Sequence, residues 1–431
     1  MTAPQLQKSP SGLGGKKSPT RRKSVGETNK SSGISPAYLR QIAEAKVKEK
    51  SAKTHVFRLD LEERYPRFNM RELSYGRVLG QGGFCVVREV KKIDLQPDHF
   101  RESCPTDRYD LEQKDRKFMK DRCIRHGDAR YAVKQLHVSP HDEGDGASRY
   151  CEGLVDLAME VKFLAILQHS HIIKLRAISD KSSCSGGYFV LLDRLYDTLE
   201  SRINKWKRQE ARHTGALSKF RIKSKRRTPE DLICDRLVVA YDLATALLHM
   251  HSHRVTYRDL KPENIGFDVR NDVKIFDLGL AKEMLPEEIR QDGTYDMTPM
   301  TGSLRYMAPE NGRGLPYNES VDVYSFGILL HQIMSTEVPF RNYSVNMLKA
   351  QVFEKGVRPI INAGKLWPDR TVLLIRDAWC QDWTKRPKMA DIVDEIRQTI
   401  TMLQGPDTLV LDQTNRTNKS AADWDYSSRG K

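Results

Sequence analysis

Two textures divide the sequence, and their order restricts the fold more than any single motif does. From about Leu73 the chain reads strand, glycine turn, strand: RELSYGRVLG, then QGG, then FCVVREVKKI. β-Branched residues bounded by glycine give this stretch its strand character. RYAVKQLHV and YFVLLDRL continue as strands, and VDLAMEVKFLAIL between them repeats apolar residues at helical spacing. From Asp231 onward helices dominate, as in DLICDRLVVAYDLATALLHMHSH and SVDVYSFGILLHQIM. This order implies an α+β protein, a mainly β N-lobe followed by a mainly α C-lobe. A length of 431 residues accommodates one large two-lobed domain with appended ends, and no internal repeat is evident.

The lobes are expected at residues 72–195 and 196–404, each carrying an insertion. Residues 94–128 are highly charged and interrupt the strands, the usual setting of a surface loop. Residues 204–227 are strongly basic. An N-terminal extension, 37–71, opens with AYLRQIAEAKVKEKSAK after Pro36, which suits a short helix bearing Tyr38, Leu39, Ile42 and Val47. Residues 1–36 are rich in Ser, Lys, Gly and Pro and too poor in apolar groups to offset the entropy of ordering. They are expected to be a disordered tail, and 405–431 a flexible one.

The formal charge of +15 suggests nucleic acid until it is located. Residues 1–30 contribute +6 and residues 204–227 contribute +9, the whole excess, so the remainder is neutral. Neither basic segment interleaves aromatic residues regularly for base stacking, and no specific nucleic-acid partner is expected. Seven scattered cysteines without a CxxC pair argue for reduced thiols rather than a disulfide framework or zinc. No run of about 18 apolar residues suggests a membrane span, and the first residues lack the apolar core of a secretory signal. The expected location is the cytoplasm. Two basic clusters in 204–227 add nuclear import as one reading and docking to acidic partners as another.

The chemistry-bearing residues fall in one order. Leu79, Gly80, Gly82, Gly83 and Val87 lie in LGQGGFCVV, where glycines between strands let the backbone approach phosphate oxygens. A glycine-rich hairpin is also a common plain turn. YAVK ends a strand with Lys134, which taken alone is an ordinary solvated strand lysine. Glu160 lies within the apolar run AMEVKFLAIL, suited to pair with a lysine that orients phosphates, or else simply a surface acid of its helix. YRDLKPEN then sets Asp259, Lys261 and Asn264 within six residues, and VKIFDLGLAK delivers Asp277 into a glycine-containing turn. Asn264 and Asp277 offer the oxygen ligands that Mg²⁺ prefers. Asp259 remains to accept the proton of an attacking hydroxyl, and Lys261 to neutralise the transferred group. Each piece has a structural explanation, but the set in this order does not.

From about Leu73 to Leu403 these motifs resemble the eukaryotic protein kinase superfamily, serine/threonine type. GQGGFCVV resembles its glycine loop, AVK its strand lysine, YRDLKPEN its catalytic loop, DLG its metal loop and MAPE the end of its activation segment. TGSLRYMAPE with WCQDWTKRP is most similar to the tyrosine-kinase-like group. The resemblance implies a bilobal kinase fold, ATP and Mg²⁺ as cofactors, protein substrates and an upstream activating kinase. It puts adenine under Val87 and Ala132, near the backbone of Asp193 and Leu195, with Leu192 as gatekeeper. It also implies that Asp322 anchors the catalytic loop, that Arg386 pairs with Glu310, and that Ser303 bridges Asp259 and Lys261. Lys261 and Ser303 favour Ser/Thr over Tyr hydroxyls. Three positions depart from the family pattern: Cys85 for a loop glycine, Tyr257 for histidine and Leu278 for phenylalanine. None removes a reacting group, although a catalytically weak scaffold is the alternative.

Regulation is expected at Arg258, which directly precedes Asp259 and calls for an anion. Phosphate on Thr294, Tyr295, Thr298 or Thr301 would supply one; a neighbouring acid is the plainer explanation. Ser24 after RRK, and Ser9, Ser18 and Ser35 before proline, resemble sites for other kinases.

Overall fold

Helix α1 (Pro36–Ala52) starts where the sequence places it, at a Ser–Pro step. Ser35 caps it by accepting the Tyr38 N–H, and Pro36 occupies the first position. Leu39, Ala43 and Val47 recur every fourth residue and are buried, whereas Tyr38 points to solvent. The computed structural model describes residues 35–57, 61–96, 106–125, 127–142, 145–214, 228–364 and 366–404. The expectations for the two tails, for Ser9, Ser18 and Ser24, and for the basic run 215–227 lie outside them.

The N-lobe contains β1 (Arg67–Phe68), β2 (Leu73–Gln81), β3 (Cys85–Ile93), α2 (Thr106–Asp121), a small hairpin of β4 (Ile124–Arg125) and β5 (Asp128–Ala129), β6 (Tyr131–Leu136), α3 (Gly146–Ile166), β7 (Leu175–Ser179) and β8 (Phe189–Asp193). One six-stranded sheet runs β1-β7-β8-β6-β3-β2, antiparallel except for the β1–β7 pair. Its register sets Lys134 opposite Val87 and Ala132 opposite Leu192.

The charged insertion differs from the surface loop expected of it. It carries the 16-residue helix α2, with Met119 and the following Cys123 buried against Phe68, Val90 and Phe189 of the sheet. Buried Arg116 ends on Glu72. Few of its side chains are apolar, so hydrophobic periodicity misses it. What anchors it is one apolar edge and a buried ion pair that satisfies its charge.

The C-lobe contains β9 (Asp197–Thr198), α4 (Leu199–Thr214), α5 (Pro229–Ser252), β10 (Val255–Thr256), β11 (Ile265–Phe267), β12 (Val273–Ile275), β13 (Lys282–Glu283), α6 (Pro309–Gly312), α7 (Ser320–Ser335), α8 (Val345–Met347), α9 (Asp369–Ala378) and α10 (Met389–Gln404). The protein is bilobal, β-rich first and α-rich second. Helix α5 begins with a reciprocal cap between Thr228 and Asp231. Helix α7 is buried continuously from Val321 to Met334 and forms the centre of the lobe. The basic insertion begins inside α4, where Lys207 pairs with Glu337 and Glu210 with buried Arg236. Among the described residues no disulfide forms, and no helix is long and apolar enough to cross a membrane.

Candidate active site

A cleft of about 730 Å³ lies between the lobes, and its wall brings together residues that are distant in sequence: Leu79, Val87, Lys134, Glu160, Asn264 and Asp277. The glycine hairpin forms its roof. A Cβ on Gly80 or Gly83 would meet no atom within 4 Å, and one on Gly82 only the Cys85 carbonyl at 3.8 Å. None of the three lies in the left-handed region. Neither packing nor turn geometry therefore requires glycine here. Open space at these positions lets a ligand approach the backbone closely, and these glycines suit phosphate. Cys85 lines the same cleft, and burial pushes its thiol up to about 12, so it is a filler and not a nucleophile at neutral pH.

Strand β6 projects Lys134 inward. Its Nζ donates to Glu160 Oε2 at 2.6 Å and to Asp277 Oδ1 at 3.2 Å, tying α3 to the segment that follows β12. Burial opposes the ammonium charge, but the two carboxylates outweigh it and hold the group well above the usual lysine range. Asp277 adopts φ +62, an unusual conformation for a non-glycine residue, and its side chain is 49% exposed. The β11–β12 hairpin positions it beside Asn264, because the Phe276 N–H donates to the Asn264 carbonyl at 3.1 Å. The oxygens of these two side chains, that of Asp277 partly open to the cleft, are of the kind that fits a hard divalent cation.

Asp259 is nearly buried and held on three sides. Lys261 Nζ donates to Oδ2 at 2.7 Å, Asn264 Nδ2 to Oδ2 at 2.8 Å, and the Ser303 hydroxyl to Oδ1 at 2.7 Å. Lys261 also donates to Ser303 Oγ at 2.9 Å, which closes the network. From beneath, fully buried Asp322 accepts the backbone N–H groups of Tyr257 and Arg258, both at 2.8 Å. These bonds hold Arg258 at φ +70. Arg386 forms a buried bidentate pair with Glu310 at 2.6 and 2.9 Å. Tyr257 is fully buried, and its hydroxyl finds a partner in the Phe276 carbonyl at 2.6 Å.

At the inner end of the cleft, Ala132 faces Leu192 across the ladder. The Asp193 carboxylate is turned away onto Arg176 at 2.6 and 2.9 Å, leaving only its backbone for a ligand. The neighbouring N–H groups of Arg194 and Tyr196 bond to Arg130 and Phe267 carbonyls. Between them, the Leu195 N–H takes no protein partner among the described residues.

The expected phosphate acceptors split into two pairs. Thr294 is 2% exposed with its hydroxyl given to Asp292, and Tyr295 is buried with its backbone bridged to Tyr317. Neither is presented for modification in this conformation, because the bridge folds both inward. Thr298 is exposed and Thr301 half-buried. Among the described residues the Arg258 guanidinium pairs with no acid. Its Nε donates to the Leu280 carbonyl at 2.7 Å and its Nη1 to the Tyr317 hydroxyl at 3.2 Å, which in turn donates to the Thr298 carbonyl at 2.8 Å.

Sequence reading missed Asp156, which lines the cleft one helical turn before Glu160. Burial pushes its carboxyl up to about 6. Its signal was available in VDLAME, where two acids four apart share a helix face.

Comparison with known proteins agrees with this geometry. The protein kinase domain model matches residues 121–396, a span that begins after the glycine hairpin. A probable serine/threonine-protein kinase of Dictyostelium discoideum is 27% identical over 250 residues, 58% of this chain and 16% of that protein. Serine/threonine-protein kinase STY17 of Arabidopsis thaliana is 28% identical over 251 residues, 58% of this chain and 38% of the relative. STY46 of the same plant is 31% identical over 160 residues, 37% of this chain and 26% of the relative. The chain thus spans well under half the length of these curated relatives. The family match covers more than half of the chain, and the chain belongs to the protein kinase domain family.

Proposed function

We propose that this protein is a catalytically competent serine/threonine kinase, of the tyrosine-kinase-like group, that transfers the γ-phosphoryl group of Mg·ATP to protein Ser or Thr hydroxyls. One observation carries the reading: the cleft-facing Asp259 is fixed by Lys261, Asn264 and Ser303 while Lys134 is fixed by Glu160. A non-catalytic scaffold has no need of both constellations.

Asp259 orients the attacking hydroxyl and accepts its proton, with Oδ1 held by Ser303. Lys261 stabilises charge on the transferred group, and Lys134 positions the phosphates under the glycine hairpin. Asn264 and Asp277 would hold Mg²⁺, which when bound would offset the charge of the phosphates. Adenine would pack under Val87 and Ala132 and accept a hydrogen bond from the Leu195 N–H. An upstream kinase would act on Thr298 or Thr301, whose phosphate would give Arg258 the anion it lacks. The cytoplasm is the proposed location.

The test is transfer from Mg·ATP to a mixed Ser/Thr/Tyr peptide library, with Asp259→Asn and Asp277→Asn beside the parent. Labelled Ser and Thr, lost in both variants, would bear the reading out. Nucleotide binding without transfer, even after treatment with activating kinases, would overturn it in favour of a scaffold.

A further inference from the structure

We infer that residues 35–57 are an intramolecular strap that positions both Glu160 and the segment leading away from Asp277, making phosphoryl transfer depend on a part of the chain outside the two lobes. The inference rests on the function proposed above, but its physical content does not.

Helix α3 is sandwiched. Its inner face, through Leu157, Val161 and Leu164, belongs to the main core. Its outer face, through Cys151, Leu154 and Ala158, packs on Leu39, Ala43 and Val47 of α1. Without α1 that outer face would be an exposed apolar stripe, and α1 alone, 17 residues rich in Lys and Glu, is a marginal helix in water. Each helix therefore needs the other. Glu160 lies on the same helix two residues after Ala158, so its reach to Lys134 depends on how α3 is clamped.

The chain beyond α1 then crosses to the other lobe. Phe57 meets Phe163 of α3 edge to face at 5.0 Å. The Val56 N–H donates to Glu283 Oε2 at 3.1 Å, and His55 Nε2 lies 3.0 Å from Glu287 Oε1. Glu283 is buried in β13, which pairs with β10, the strand leading directly into Tyr257, Arg258 and Asp259. Three consecutive residues thus join α3 to the strand pair beneath the catalytic loop. None of the strap's residues lines the cleft, so they position and do not catalyse.

The test uses the full chain with Ala43→Glu, its conservative partner Ala43→Ser, and Phe57→Ala. Hydrogen exchange is followed at residues 150–164 and 282–288, with kcat and peptide KM measured in parallel. Ala43→Glu should raise exchange in both windows together by about tenfold and lower kcat at least about tenfold with peptide KM unchanged. Ala43→Ser should restore both readouts. A rise confined to α3, or unchanged kcat alongside faster exchange, would overturn the strap. Should Ala43→Glu fail to fold, Phe57→Ala decides by the same paired readouts. If the parent itself transfers no phosphate, the proposed function fails, and the strap is then judged by exchange alone: joint opening supports it, independent opening refutes it.

Discussion

Replacing Asp156 with Asn should stabilise this protein, and by an amount that grows with pH. Asp156 lies at the cleft wall, where burial is the main cause raising its carboxyl from 3.8 to about 6; Lys50 opposes the rise, and Glu152, Glu160 and Asp277 add to it. The folded chain then binds the proton more tightly than the unfolded chain does. Stability contributed by that proton is present at low pH and is lost as pH rises through the window from about 4 to 6. At about 1.4 kcal/mol per unit, a gap of about 2 units leaves an ionised Asp156 costing about 3 kcal/mol at neutral pH. Asn keeps the shape and cannot ionise. Urea unfolding of parent and variant should differ by less than about 1 kcal/mol at pH 4 and by about 3 kcal/mol at pH 8. An advantage that does not change with pH, or a variant less stable at pH 8, would refute the reasoning and imply that the carboxylate is satisfied as an ion.

Three further substitutions probe separate links. Glu310→Gln leaves buried Arg386 without its bidentate partner and should cost about 3–5 kcal/mol in thermal or urea unfolding; a loss below about 1 kcal/mol would show that the pair is not needed. Gly302→Ala adds a Cβ that would lie 2.2 Å from the Arg258 carbonyl, at φ +100, so transfer should fall at least about tenfold as the catalytic loop shifts; full activity would mean that the loop tolerates displacement. Gly80→Ala meets no protein atom within 4 Å and should change stability by less than about 0.5 kcal/mol while weakening ATP binding in calorimetry. Equal ATP affinity would remove the argument from the glycine hairpin.

Much of the lobe architecture was legible because strands and helices announce themselves by period. The alternation around YAVK and the helical run VDLAMEVKFLAIL place Lys134 and Glu160 on facing elements, and the structure brings them to 2.6 Å. Asp259, Lys261 and Asn264 are local in sequence, so their convergence needed little tertiary information. What stayed hidden depends on long-range packing. Helix α2 is masked by charge, since its burial rests on one narrow edge and on Arg116 meeting Glu72, 44 residues away. Thr294 and Tyr295 look available in sequence, but a bridge to Tyr317 turns them inward. Asp156 reads as one more helix acid until the fold shows which face of α3 looks into the cleft.

Whether Asp259 serves phosphoryl transfer or only the stability of its loop is decided by single-turnover transfer from Mg·ATP in parent and Asp259→Asn proteins, with ATP affinity measured on the same samples. The parent should transfer to Ser or Thr, the variant should lose about 10² to 10⁴ of that rate, and ATP affinity should be the same in both. Equal transfer by both, or none by either with ATP bound, would contradict it.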